Sequence, residues 1–250
     1  MYLEIEGVST HYQRRGKGAP FLLVHGWGGS MDSFEALYQQ VSRQFDSIIL
    51  DLPGFGQSGQ PGPHWGIPEY AHFLKQFLTA CGVEKVIFFG HSFGGSLGLY
   101  LAAHSPVTVD KLIVAGASFK RRKTTSPAFL TVKKILTKVP FYTLLRRTFL
   151  MTFYRLFFLQ SDISKFPKLE ANFRQIVSFD LSAYLPRIKQ PTLILWGKKD
   201  IYTPQEDAHE AKKLIKGARL KIFADCGHNL PLVKPDLVYR EIADFIKSNK

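Results

Sequence analysis

The chain is short of the residues and patterns that mark several protein classes. It has only two cysteines in 250 residues, Cys81 and Cys226, too few for the disulfide framework of a small secreted domain. Arginines interrupt the most apolar segment, residues 139–159, so no run reaches the roughly 18 uninterrupted apolar residues of a membrane-spanning helix. Internal repeats and low-complexity tracts are also absent, which argues against repeat architectures.

The beginning of the chain lacks a further pattern. Its first ten residues do not show a basic segment followed by an apolar one, which is the mark of a secretory signal. We therefore expect a cytoplasmic protein with two reduced, structural thiols. Hydrophobic residues make up 45% of the chain and charged residues 21%, as in ordinary globular domains.

Acidic residues are scarce in one part of the chain. The net charge is +13, but residues 116–190 alone hold 15 Lys and Arg against three acids, which is +12 of that total. The chain is therefore a nearly neutral body that carries one basic insert. No recognised nucleic-acid-binding module accompanies this charge, so nucleic acid is not an expected partner.

Outside the insert, short apolar runs alternate with helical patterns, as in a parallel sheet covered by helices. Strands are predicted at 21–24, 47–50, 86–89, 111–115, 192–196 and 219–223, after an opening hairpin at 2–5 and 10–14. Helices are predicted at 30–41, 68–81, 93–104, 204–215 and 234–247. This order predicts an α/β fold with helices on both faces of the sheet.

Residues 118–190 lie between two predicted strands and have no strand pattern of their own. Aromatic residues alternate there with Lys and Arg, and four prolines divide the segment into short helices. We predict a helical lid inserted after the sixth strand, over a core made of residues 1–117 and 191–250. Its aromatic residues either line a pocket or pack the lid on the core, and its cations either bind anionic groups or face solvent.

The segment 86–95, VIFFGHSFGG, places a G-x-S-x-G motif between an apolar strand and an apolar helix. A nucleophile at such a corner needs a tight turn, and Gly90 and Gly94 remove the Cβ atoms that would collide there. The following helix directs its first N–H groups toward the reaction site. Ser92 is therefore the candidate nucleophile.

A serine nucleophile needs a base, and the base needs an orienting acid. Asp200 and His228 each come just after a predicted strand, so both belong at the carboxyl edge of the sheet with Ser92. Asp225 is the rival acid, but it shares a loop with His228. Nothing acidic lies between Asp110 and Asp162, which excludes an acid after the preceding strand.

The oxyanion of the intermediate needs N–H donors. The glycine-rich turn after the first parallel strand, HGWGG at 25–29, supplies the backbone N–H of Trp27, and the residue after the nucleophile supplies that of Phe93. The Trp27 side chain then lines the pocket. A second glycine-rich turn, DLPGFGQS at 51–58, is interpreted as structural.

Together with WGKKD at 196–200 and Gly227-His228, these motifs make the whole chain resemble the lidded, single-domain α/β-hydrolases. The resemblance implies an eight-stranded, mostly parallel sheet, no metal or cofactor, and hydrolysis through an acyl-enzyme. Serine at position 92 argues against the haloalkane dehalogenase and epoxide hydrolase branches, which use a carboxylate there.

Our first functional hypothesis is a carboxylic ester hydrolase of the carboxylesterase type. The aromatic lid, with Phe153 and Phe157 as candidate substrate contacts, favours a small-molecule ester with an apolar acyl group. The basic lid favours peripheral contact with anionic lipid. Two alternatives stay open: a carbon–carbon hydrolase of the meta-cleavage product type, and a non-catalytic ligand- or membrane-binding member of the fold.

Overall fold

The computed structural model describes residues 1–121 and 166–248. Its strands are β1 Tyr2–Ile5, β2 Val8–Arg15, β3 Pro20–Val24, β4 Asp46–Leu50, β5 Val86–His91, β6 Val109–Ala115, β7 Thr192–Gly197 and β8 Arg219–Phe223. Its α-helices are α1 Glu35–Val41, α2 Ile67–Ala80, α3 Phe93–His104, α4 Glu170–Ser178, α5 Gln205–Leu214, α6 Leu230–Val233 and α7 Pro235–Lys247. Short 3₁₀ helices lie at Met31–Phe34, Pro167–Leu169 and Leu185–Arg187.

The eight strands form one sheet in the order β1-β2-β4-β3-β5-β6-β7-β8. β1 and β2 pair antiparallel, and β2 is antiparallel to β4. All the remaining neighbours pair parallel. The predicted α/β fold with a mostly parallel eight-stranded sheet is confirmed.

Successive residues of the central strands point to opposite faces, and each face has its own core. In β3, Leu22 and Val24 belong to one buried cluster, whereas Phe21 and Leu23 belong to the other. The first cluster includes apolar residues of α2, α3 and α5, and the second includes those of α1 and α7. Burial on both faces explains why these strands are continuous apolar runs in the sequence.

Two local features differ from the sequence prediction. The segment predicted as one helix at 30–41 is a 3₁₀ turn, Met31–Phe34, followed by α1. The turn is anchored from outside the segment, because Asp51 Oδ1 accepts the Met31 N–H at 2.7 Å. The short helix α6 follows the loop of His228 and had no sequence signal strong enough to predict it.

The predicted lid is described only at its ends. Residues 122–165, which include Phe153 and Phe157, lie outside the described residues, so the predicted contacts of these two side chains remain predictions. Within residues 166–190 the structure has α4 and two 3₁₀ helices, and no strand. Leu169, Leu185 and Ile188 are buried in the core cluster on the α2–α3 face. The division of the chain at 118 and 190 stays a prediction.

In residues 1–121 and 166–248, no helix is long and apolar enough to cross a membrane.

The parallel strands β3, β5, β6, β7 and β8 end at the same edge of the sheet, as their pairings require. The loops that follow these strands therefore meet, which brings the candidate functional residues to one place.

Candidate active site

Ser92 lies at a sharp corner between β5 and α3. Its backbone has φ 51° and ψ −114°, a left-handed conformation that is rare and strained for a residue with a side chain. Both flanking glycines are required by close backbone contacts: a Cβ on Gly90 would lie 2.3 Å from Gly94 O, and one on Gly94 would lie 2.3 Å from Val24 O. The corner thus exposes the serine hydroxyl above the sheet edge.

A continuous chain of hydrogen bonds joins the three predicted triad residues. The Ser92 hydroxyl donates to His228 Nε2 over 2.9 Å, and His228 Nδ1 donates to Asp200 Oδ2 over 2.8 Å. A carboxylate can only accept, so it fixes the proton on Nδ1 and leaves Nε2 to accept from the serine. The structure therefore brings Ser92, His228 and Asp200 together in the order that a nucleophile, base and acid require.

Four donors surround the Asp200 carboxylate, which is almost completely buried. Oδ1 accepts the backbone N–H groups of Tyr202 and Thr203, at 2.9 and 2.8 Å. Oδ2 accepts the Thr203 hydroxyl at 2.7 Å, in addition to His228. Burial opposes ionisation, but the hydrogen bonds from His228 and Thr203 outweigh it, so the pKa of Asp200 lies below its ordinary value.

The role of Thr203 at Asp200 was not predicted from the sequence. The signal that could have found it is an Asp followed by polar or flexible residues just after a strand, because aspartate side chains accept N–H groups two and three residues on. Which side-chain hydroxyl also donates to the carboxylate depends on the path of the loop.

Two further histidines support the site without joining the triad. His91 Nε2 donates to the carbonyl oxygen of His228 at 2.8 Å, so its side chain bonds to the loop of the base rather than to Ser92. Burial, reinforced by the neighbouring His228, lowers the pKa of His91 to about 3. His25 donates from Nδ1 to Gly26 O and accepts Leu52 N–H at Nε2, at 2.7 and 2.9 Å. Burial lowers the pKa of His25 as well.

The predicted oxyanion donors lie on two segments that pack against each other. A Cβ on Gly26, directly before Trp27, would lie 3.2 Å from Ser92 Cβ, so this turn abuts the nucleophile. Phe93 is the first residue of α3, and the first N–H groups of a helix have no partner within it. The roles of the Trp27 and Phe93 N–H groups as donors remain predictions.

Aromatic rings surround Trp27 beside the nucleophile. The indole makes edge-to-face contacts with Phe55, Phe93 and Phe173, at ring-centroid distances of 4.9, 5.9 and 5.0 Å. Phe166 extends the group by its contact with Phe55 at 5.1 Å. Phe166 and Phe173 come from the described end of the predicted lid, and neither was singled out from the sequence.

The rival acid and the second glycine turn have other contacts. Asp225 is exposed and forms a 3.3 Å ion pair with Lys199. The Asp51 carboxylate accepts Met31 N–H, Gln57 N–H and His11 Nδ1–H, so it holds its own loop together. A Cβ on Gly56 would lie 2.2 Å from that carboxylate. These contacts agree with a structural role for the 51–58 turn.

Gly116, at the end of β6, stands beside the acid and base. A Cβ there would lie 3.2 Å from His228 Nδ1 and 3.3 Å from Asp200 Oδ2, closer than most side-chain contacts. Glycine at this position leaves room for the Asp200 and His228 side chains.

Among the described residues, no group of three His, Cys, Asp or Glu side chains is arranged to hold a metal ion.

Comparisons with known proteins agree with this architecture. The family model described as "alpha/beta hydrolase fold" matches residues 19–142 and 116–235. The AB hydrolase superfamily protein YisY of Bacillus subtilis is 29% identical, over 97% of each chain. A 2-hydroxy-6-oxo-6-phenylhexa-2,4-dienoate hydrolase of Comamonas testosteroni is 26% identical, over 95% of this chain and 91% of its own.

Among solved structures, the enol-lactonase of Burkholderia xenovorans LB400 is similar in fold. It superposes with a TM-score of 0.76 at 18% identity, covering 99% of this chain and 100% of that one. The sheet order, the strained serine corner and the family match over most of the length lead to one conclusion: the chain belongs to the alpha/beta hydrolase fold family.

Proposed function

We propose that this protein is a serine hydrolase that cleaves carboxylic esters through an acyl-enzyme intermediate. The observation that carries the proposal is the unbroken path from Ser92 Oγ through the His228 ring to Asp200, with both hydrogen bonds shorter than 3 Å. A hydroxyl becomes a competent nucleophile when a base takes its proton as the bond to carbon forms.

In the acylation half of the reaction, Ser92 Oγ attacks the ester carbonyl carbon and His228 Nε2 takes the hydroxyl proton. The negative charge moves to the carbonyl oxygen, where the N–H groups of Trp27 and Phe93 stabilise it. His228 then returns the proton to the leaving alkoxide, which departs as the alcohol. Asp200 stays ionised throughout and stabilises the imidazolium.

In the deacylation half, water takes the place of the alcohol. His228 removes a proton from the water while its oxygen attacks the acyl carbon, and the oxyanion forms again between the same two N–H groups. Collapse of this intermediate breaks the bond to Ser92 Oγ and returns the proton to it. The carboxylic acid leaves, and the enzyme is restored.

The rings of Trp27, Phe55, Phe93 and Phe173 support an apolar acyl group as the preferred substrate part. The basic residues at 118–190 support peripheral contact of this segment with anionic lipid, which stays part of the proposal together with a cytoplasmic location.

A second candidate is a carbon–carbon bond hydrolase. Two relatives favour it: the Comamonas dienoate hydrolase described above and a 2-hydroxy-6-oxo-2,4-heptadienoate hydrolase of Pseudomonas putida, 27% identical over 96% of this chain. The same triad serves both reactions, because each proceeds through attack at a carbonyl carbon. Only the substrates separate them.

The deciding experiment is the initial rate on p-nitrophenyl esters from acetate to palmitate, with Ser92→Ala in parallel. We expect ester turnover that falls at least about 10³-fold in Ser92→Ala, because the residual rate then comes from binding and the oxyanion hole alone. Asp200→Asn and Asp225→Asn form a matched pair, of which only the former loses most activity. Equal losses in the two would mean that Asp200 is the wrong acid.

Ring-cleavage dienoates are measured with the same enzyme, by the loss of their colour. A kcat/KM for a dienoate above that of every ester would replace the ester assignment with carbon–carbon cleavage. If neither class shows Ser92-dependent turnover, and Ser92→Ala binds anionic lipid vesicles as well as the unmodified protein does, the chain is a binding member of the fold instead.

A further inference from the structure

The indole N–H of Trp27 has no hydrogen-bond partner within residues 1–121 and 166–248, although Nε1 is shielded from water. Trp196 shows the ordinary situation in the same molecule, since its Nε1 donates to Thr203 O at 2.7 Å. A buried donor without an acceptor costs about 1–3 kcal/mol. Such a group is therefore expected to have a function that offsets this cost.

Three aromatic rings contact the indole, those of Phe55, Phe93 and Phe173. None of these rings carries an oxygen that could accept the indole N–H. The backbone before Trp27 abuts Ser92, as the 3.2 Å approach of a Gly26 Cβ to Ser92 Cβ shows. The unpaired donor thus lies among aromatic rings, on the residue that follows the closest approach of this turn to the candidate nucleophile.

We propose that Trp27 Nε1 donates a hydrogen bond to a second oxygen atom of the substrate, in the acyl part and a few bonds from the scissile carbonyl. The inference rests on the proposed function, because it takes Ser92 as the nucleophile. It narrows the substrate class from apolar acyl esters to acyl groups that carry an ether or keto oxygen. A site built around such a bond discriminates against analogues that lack the oxygen.

Because Nε1 is shielded from water, the acyl group reaches it in this proposal by displacing one of the three rings that contact the indole. Phe55 and Phe93 are buried at 1% and 4% exposure, whereas Phe173, on α4, is partly exposed. Phe173 is therefore the ring that moves aside in this proposal. The movement places the acyl chain between α4 and the 26–29 turn.

Trp27→Phe tests the proposal, because it removes the indole N–H and keeps an aromatic ring and the backbone N–H. Three p-nitrophenyl esters of equal chain length serve as probes: pentanoate, ethoxyacetate and 3-methoxypropanoate. For each ester, kcat/KM of the unmodified enzyme is divided by that of the variant, so the intrinsic reactivity of the ester cancels. We expect Trp27→Phe to lower kcat/KM for at least one oxygenated ester about tenfold more than it lowers that for pentanoate, a difference the size of one hydrogen bond.

Trp65→Phe is the matched control. Trp65 is a partly buried tryptophan that packs on Tyr70 and Phe73, and the same substitution there leaves the ratio between the esters unchanged. If Trp27→Phe lowers all three esters by the same factor, within about twofold, the indole N–H is only part of the packing and the proposal is wrong. The proposal is also wrong if Trp65→Phe changes the ratio of kcat/KM between the esters as much as Trp27→Phe does.

A binding measurement makes the test independent of turnover. The chain has three tryptophans, so ¹⁵N-indole labelling gives three N–H signals, and Trp27→Phe assigns the one at issue. Ser92→Ala protein is titrated with N-ethyl ethoxyacetamide, N-ethyl 3-methoxypropanamide and N-ethylpentanamide. We expect the Trp27 proton signal to move downfield with at least one of the two oxygenated amides and not with the pentanamide.

A Trp27 signal that stays in place with both oxygenated amides, or that moves equally with all three amides, overturns the inference. Failure of the proposed function would give a different result, namely no Ser92-dependent hydrolysis of any ester. The titration still decides on the donor in that case.

Discussion

At the residue scale, Thr203 holds Asp200, the proposed acid of the triad, in place. Its hydroxyl and backbone N–H contact different oxygens of Asp200, at 2.7 and 2.8 Å. Its hydroxyl also lies 3.4 Å from His228 Nδ1. Burial of Asp200 opposes its ionisation, but the hydrogen bonds from His228 and Thr203 stabilise the carboxylate and keep its pKa below the ordinary value. A neutral donor on the carboxylate therefore influences the pH at which Asp200 is ionised.

Thr203→Val removes the hydroxyl and keeps the shape and the backbone N–H. Without this donor the pKa of Asp200 rises, so protonation of Asp200 inactivates the enzyme at a higher pH and the acid limb of kcat/KM moves upward. We expect kcat/KM at neutral pH to fall about tenfold, since a hydrogen bond to a charged group contributes about 1.5–3 kcal/mol. The pH profile of ester hydrolysis measures both effects.

Thr203→Ser keeps a hydroxyl at the same position and should restore the profile of the unmodified enzyme. An acid limb that does not move in Thr203→Val, with kcat/KM unchanged within about twofold, would show that the hydroxyl serves only the packing of the loop.

At the element scale, a buried amide joins α4 to the loop that precedes α2. Asn172 Nδ2 donates to the carbonyl oxygens of Gly62 and Trp65, at 2.9 and 3.3 Å. The next residue, Phe173, carries the ring that contacts Trp27. The position of the Phe173 ring beside Trp27 thus depends on two hydrogen bonds made by the neighbouring Asn172.

Asn172→Asp replaces a donor with an acceptor that faces two carbonyl oxygens. We expect a loss of about 2–3 kcal/mol in the free energy of unfolding, because a buried charged group without partners is more costly than a neutral one. The KM for medium-chain esters should rise as α4 loosens. Urea unfolding and ester kinetics measure the two effects.

Asn172→Ala is the control, since it removes the donor and adds no repulsion. It should lose less stability than Asn172→Asp does. Equal stability of Asn172→Asp and the unmodified protein would contradict the contacts described for α4.

At the scale of the whole molecule, buried histidines connect stability to pH. Burial, followed by the charge of the neighbouring His228, lowers the pKa of His91 to about 3, although Asp200 acts in the opposite direction. The unfolded chain has an ordinary histidine there, with a pKa of about 6.5. Below pH 6.5 the unfolded state therefore binds a proton that the folded state does not bind, and stability falls as the pH decreases toward 3.

His91→Gln tests this linkage, because glutamine can donate to the carbonyl oxygen of His228 but does not titrate in this range. The free energy of unfolding of the unmodified protein should decrease from pH 7 to pH 5 by about 2 kcal/mol more than that of the variant. Urea unfolding followed by circular dichroism at the two pH values gives the difference. Equal decreases would mean that His91 is protonated in the folded protein.

The sequence by itself determined the order of strands and helices, the corner at Ser92 and the loops of Asp200 and His228. These features are local: buried strands are continuous apolar runs, and a strand-to-helix turn needs glycines where Cβ atoms would collide. Chain order then placed the three residues at one sheet edge, because parallel strands end on the same side. Their catalytic roles remain predictions, as do those of the lid.

Only the tertiary structure decided which groups surround them. The Thr203 hydroxyl on Asp200, the space left by Gly116 beside His228, and the Phe173 ring on Trp27 each join segments that are distant in the chain or depend on the path of a loop. No local pattern records such contacts, because they follow from how helices and loops pack on the finished sheet. The physical reason is that hydrophobic periodicity specifies which face of an element is buried, but not which side chain of another element it meets.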